Sequence, residues 1–241
     1  MTEPNNLPPG YSFTIPGPEP GGRKLTAEEA EQMLQANIVK QEEALGEALF
    51  ALAKFYQQTR RHSLAMEVLN RLTGLVQAPE PKAVCYLSMG QLAEGMVDFE
   101  AAVDYYSQAF RLEPDRTEIW YLINNNLGYS LNQLGRNAEA EGYCRAAIKI
   151  DPKRYNAFKN LGISQEGQGA LTEAAASYIQ AVRKEAADSR ALKHLERLLA
   201  LHPQLLKQNP ALVSELENCR DAVSFARNLI SKILENYNDQ K

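Results

Sequence analysis

The side chains able to do covalent or metal chemistry are few and scattered. His62, His194 and His202 have no partner at metal-ligand spacing, and no glycine-rich phosphate loop or nucleophile elbow is present. Cys85, Cys144 and Cys219 are far apart and odd in number, which argues against a disulfide framework and for small buried apolar residues in a reducing compartment. No nucleophile, base or metal set converges, so the chain reads as a non-enzyme with no metal and no cofactor. What is left is the chemistry of recognition. The amides of Asn126 and Asn160 each present one acceptor and two donors, and can pair with both groups of an extended peptide backbone whatever its sequence. Lys159, Arg190, Lys193, His194 and Arg197 gather toward the C-terminal part, and cations on facing helices favour an acidic stretch or a terminal carboxylate.

These residues ride on a recurring pattern of helix hairpins. Tyr86, Met89-Gly90, Ala102, Tyr106, Ala109 and Pro114 set it out most clearly. It returns at Leu127-Gly128, Ala140, Cys144, Ala147 and Pro152, and again at Phe158, Leu161-Gly162, Ala174, Tyr178 and Ala181, with a weaker early copy at Leu52-Ala53, Tyr56, Ala65 and Leu69. The physical reason for the pattern is close helix packing. Gly90, Gly128 and Gly162 remove a side chain where the second helix of the pair crosses, and Ala102, Ala140 and Ala174 do so from the other side. Leu134-Gly135 and Gln168-Gly169 fall at turns that need a left-handed cap, and Pro114 and Pro152 block continuation of their helices. Gly90 to Gly128 is four residues longer than Gly128 to Gly162, close to one helical turn. Asp115 with Glu118 reads as a capping box, so the helix holding Trp120 is expected to begin one turn early. Trp120 either packs against Tyr155 or marks a partner contact.

Self-similarity at a period in the thirties means stacked helical pairs, and the pattern resembles the tetratricopeptide repeat family. The resemblance implies an all-α fold, a right-handed superhelical solenoid of antiparallel hairpins. About four repeats are expected, near 46–80, 83–114, 117–152 and 155–187 within 46–188. It also implies a concave face lined by the first helix of each pair, with Ser88, Asn126, Asn160 and His194 pointing inward. Asn126 and Asn160 are then similar to the ladder of family members that hold extended peptides, the alternative being solvated surface. The two-carboxylate clamp of other members, laid over this chain, meets Asn125, Tyr129, Asn160, Arg190 and His194. Asn160 alone matches in full, and no true clamp is expected. The implied function is a scaffold, adaptor or co-chaperone-like protein whose groove binds an extended, acidic peptide segment through Asn125, Asn126, Tyr129, Lys159, Asn160, Arg190, Lys193, His194 and Arg197. A dedicated secretion or assembly chaperone and a non-catalytic regulatory subunit are the alternatives.

Residues 1–24 hold six of the twelve prolines and four glycines, too many for helix and too little apolar surface for a core, so this stretch reads as a disordered tail. Tyr11, Phe13 and Ile15 alternate within it and would share one face if extended. Thr26 and Glu29 form a capping box for an N-terminal helix over 25–45, which either bends near Gly46 or fuses with the first repeat helix. In 189–241 a degenerate repeat helix, Ser189 to Leu201, is interrupted at His202-Pro203. A long helix starting at Asn209-Pro210 then carries the seam Leu216, Cys219, Val223, Ala226, Ile230 and Ile233 as a cap on the last repeat. A monomer is expected, with this helix as the route to any dimer. A net charge of −4 gives no basic field for nucleic acid, and no run of about 18 apolar residues exists for membrane insertion. Cytoplasmic residence follows as an expectation.

Overall fold

The computed structural model describes residues 27–238 together with Thr14–Ile15 and Arg23–Lys24, and side chains over 28–233. It divides into two compact units, Met1–Val76 and Gln77–Lys241. In the first, β1 (Thr14–Ile15) pairs antiparallel with β2 (Arg23–Lys24), which corrects the reading of 1–24 as wholly disordered for these four residues. Tyr11, Phe13 and Thr26 lie outside the described residues.

Helix α1 (Ala27–Gln58) is unbroken, so the N-terminal helix fuses with the first repeat helix. It passes through Gly46, and a Cβ there would only touch Leu72 at 3.8 Å, so nothing forces a bend. α2 (His62–Leu75) packs back on α1 through Leu49, Ala53, Ala65, Leu69 and Leu72.

The second unit stacks three further hairpins and an end group. These are α3 (Pro79–Gly95) with α4 (Phe99–Arg111), α5 (Thr117–Gln133) with α6 (Asn137–Ile150), and α7 (Tyr155–Gly167) with α8 (Leu171–Lys184). The end group is α9 (Arg190–Leu201), the short α10 (Gln204–Gln208), which the sequence reading missed, and α11 (Ala211–Asn238). The signature residues do the packing expected of them. A Cβ on Gly128 would lie 2.5 Å from Cys144 Sγ, and one on Gly162 2.5 Å from Tyr178 Cε1, while Ala102, Ala140 and Ala174 are fully buried. Gly135 and Gly169 take φ of +73° and +79° at their turns. In the preceding hairpin the same place is held by Val97 at φ +63°, 72% exposed, a β-branched residue in a region that crowds its Cβ.

The extra turn before Trp120 is present, since α5 is 17 residues long and α7 is 13. Its cap is not the Asp115/Glu118 box. Arg116 occupies the N-cap without a side-chain bond of its own, and Glu80 of α3 accepts its N–H at 3.2 Å and pairs with its guanidinium. Trp120 packs edge-on against Phe110, ring centres 4.9 Å apart, and not against Tyr155.

Each second helix packs on the first helix of the next hairpin: α4 on α5, α6 on α7, α8 on α9. The first helices also touch one another, α3 with α5 and α5 with α7, whereas α4, α6 and α8 make no comparable mutual contact. Helices drawn together on one side and spread on the other make that first side concave. α11 covers the end of this stack, laying Leu212, Cys219 and Val223 on α8 and α9 with Leu216 beside them. The seam stops there, because Ile230 and Ile233, expected to continue it, are exposed.

Candidate binding groove

The inner helices α5, α7 and α9 bring most of the sequence-predicted residues onto one side, but several arrive already engaged. Asn160, on the buried face of α7, is 2% exposed. Its Nδ2 donates to Asn125 Oδ1 at 3.2 Å and to Asn125 O at 3.4 Å, and its Oδ1 is buried with no hydrogen-bond partner. Its donor is thus spent locking α7 to α5, while its acceptor stays unpaired. The partly buried amides continue the chain. Asn125 Nδ2 donates to Asn126 Oδ1 at 3.0 Å, and Asn126 Nδ2 reaches the Tyr106 hydroxyl at 3.4 Å. Asn126 keeps a spare donor and acceptor.

That relay ends on a carboxylate of the preceding hairpin. Glu94, at the foot of α3, accepts from Ser130 at 2.8 Å and from the Tyr106 hydroxyl, and burial raises its pKa against those two hydrogen bonds. Tyr106 itself is fully buried, and burial together with the Glu94 charge pushes its pKa up. The only sequence signal was the repeated Tyr at the small-residue crossing. Tyr106 packs there as that position requires, and its hydroxyl also ties two hairpins together.

The cation cluster separates into paired and unpaired members. Arg190 chelates Asp188 at 2.9 Å through Nε and donates to the Tyr155 hydroxyl at 2.6 Å, and that pairing drops the Asp188 carboxyl well below its usual range. Arg197 grips both oxygens of Glu166 at 2.8 and 2.9 Å, and Tyr178 donates to the same carboxylate at 2.7 Å. His194 stacks on the Tyr178 ring at 5.3 Å, and burial, with Arg197 and Lys159 nearby, lowers its pKa, so it is neutral near pH 7. Three of the five expected cations thus carry little free charge. Lys193 is exposed on α9.

Lys159 is different. It is 8% exposed, among the described residues no carboxylate lies within ion-pair range of it, and its Nζ stands 6.0 Å from the Tyr129 ring centre. Burial lowers its pKa, and the Arg190 charge lowers it further. A half-buried aromatic face beside one desolvated ammonium can accept an anionic group. Among the described residues no group of His, Cys, Asp and Glu could hold a metal ion, and no helix is long and apolar enough to cross a membrane.

Comparison with known proteins agrees with the helical array. The model of the tetratricopeptide repeat family matches residues 87–155 and 126–190. A peroxisomal targeting signal receptor from Eremothecium gossypii is 28% identical over 123 residues, 51% of this chain but 21% of the receptor, so the chain spans about a fifth of that relative. Among solved structures, BtubC from P. vanneervenii is similar with a TM-score of 0.62 at 18% identity, over 85% of this chain and 87% of that one. YrrB, described as a repeat protein of this kind with an unusual peptide-binding site, is similar with a TM-score of 0.55 at 15% identity, over 76% and 90%. At such identities the likeness is one of fold.

Proposed function

Because the chain belongs to the tetratricopeptide repeat family, whose members bind protein or peptide partners, we propose that its concave face grips an extended polypeptide segment and engages an acidic group on it with Lys159. The observation that carries this reading is the buried ammonium that, among the described residues, has no carboxylate within ion-pair range and feels the Arg190-paired Asp188 only from farther off. Desolvating a lysine costs free energy that an ion pair offsets, and a site that keeps the cost in the unbound state recovers it when an anion arrives. Tyr129 supplies the aromatic wall. Asn126, with one donor and one acceptor to spare, is placed for the backbone of the bound segment, and Asn160 acts behind it by holding Asn125 in position.

The paired arginines support the stack and leave ligand charge to Lys159. Arg190 and Arg197 have their own carboxylates, so reversing either would disturb α9 before it disturbed binding. The receptor relative and the peptide-binding neighbour, each by its description, are consistent with a polypeptide ligand.

The reading is tested by panning a displayed random-peptide library on the whole chain. Selected peptides should carry Asp, Glu or a free C-terminal carboxylate, and should lose at least about tenfold in affinity on Lys159→Met, equivalent to about 1.4 kcal/mol. Peptides of no common charge that bind Lys159→Met as well as wild type would overturn it.

A further inference from the structure

Two surfaces outside the groove are apolar and uncovered. Along α1, Leu34, Ile38, Leu45, Leu52 and Phe55 are exposed, and Ile38, Leu45 and Leu52 recur at a strict seven-residue spacing, the mark of a helix that seats another helix. This stripe is on the order of 500 Å², at the upper end of what a monomer normally exposes and a large part of what one partner gives to a stable interface. On α11, past the point where the seam leaves α8 and α9, Phe225 is 70% exposed, and Leu229, Ile230 and Ile233 follow it on the uncovered helix.

Charge decides what fits each surface. α1 carries six glutamates and two lysines, a net charge of −4. The exposed stretch 224–233 of α11 carries Arg227 and Lys232 and no acid, a net charge of +2. Neither Arg227 nor Lys232, nor Glu42, Glu43 or Glu47 on α1, forms an ion pair among the described residues. Two α1 helices would repel one another, and so would two α11 ends. An α1 and an α11 end attract, and each offers the apolar stripe the other lacks a cover for.

We propose that copies of this chain associate head to tail, the exposed end of α11 from one copy lying on the α1 stripe of a neighbouring copy. The contact is heterologous, so it joins unlike surfaces and can repeat from copy to copy. This replaces the sequence-based expectation of a monomer, and it does not depend on what the groove binds.

The test uses the full chain in light scattering across a concentration series, with Ile38→Asp and Phe225→Asp as variants at exposed positions and circular dichroism as the check on folding. Wild type is expected to exceed its 26.9 kDa monomer mass as concentration rises, and to do so less at high salt. Each variant alone should be monomeric, and an equimolar mixture of the two should form a dimer and nothing larger, because only one intact pair of surfaces remains. A wild type that stays monomeric overturns the proposal. So does a Phe225→Asp variant that still self-associates, which would mean that α1 pairs with itself, and so does a mixture that stays monomeric when both variants are folded.

Discussion

Replacing Gly128 by Ala is the most revealing small change in the stack. In an open helix the same substitution stabilises by about 1 kcal/mol, since Gly is the poorer helix former. Gly142 on α6 provides that case, with nothing within 4 Å of an added Cβ. At Gly128 the new Cβ would sit 2.5 Å from Cys144 Sγ, 3.3 Å from Ala140 O and 3.4 Å from Cys144 N. Sulfur and backbone on a buried helix face cannot both give way without moving α6, so overpacking costs about 2–3 kcal/mol and exceeds the helix gain. Gly128→Ala should be destabilising by about 1–2 kcal/mol and Gly142→Ala stabilising by about 1 kcal/mol, a separation of about 5–10 °C in Tm for a chain of this size. Urea melts followed by helical circular dichroism measure both. Adding Cys144→Ala to Gly128→Ala should recover part of the loss, because it removes the nearest atom and leaves only the two backbone contacts. Equal stabilisation at the two glycines would refute the close-crossing argument.

Val97→Gly should raise stability by about 1 kcal/mol, the relief of left-handed strain exceeding the entropy of the added glycine, and an unchanged or lower melting temperature would contradict it. Asp188 has a depressed folded-state pKa, so its stabilisation is present above its ordinary value and lost as pH falls through the acid range. The gap in Tm between wild type and Asp188→Asn should therefore be full at pH 7, begin to narrow below about pH 4 and vanish only as pH falls through the depressed folded-state value; a gap of undiminished size at about pH 2 would argue against the Arg190 pairing as its source. Lys159→Met should leave stability unchanged or higher while weakening ligand binding, because it removes a buried unpaired charge at similar volume. Loss of the fold in that variant would make Lys159 structural.

The hairpin stack was legible because its signature is steric: where helices cross, only Gly and Ala fit, and that constraint shows in residue identity. The long α5 was legible for the same reason, as four inserted residues make one turn. Its cap was not, because Glu80 reaches Arg116 from another hairpin and a local capping pattern at Asp115 and Glu118 competed with it. For the groove, the resemblance to the repeat family placed Asn125, Asn126, Lys159 and Asn160 on inner helices, but composition says nothing about which amide is already used. The division of the cations into paired Arg190 and Arg197 and unpaired Lys159 depends on Asp188 and Glu166. Glu166 lies 31 residues from Arg197 and meets it only in the folded stack, and Asp188 precedes Arg190 in a loop that carries no groove signature. Ile230 and Ile233 fit the seam by spacing, but α8 and α9 are too short to cover them.

Whether Lys159 takes up an anion in the groove is tested most directly by an NMR titration of its side chain, free and saturated with a selected acidic peptide. The pKa should lie below the ordinary lysine range in the free protein and rise when the peptide is bound, with the change absent for the same peptide carrying amides in place of its carboxylates. A Lys159 pKa that does not move on saturation would contradict it.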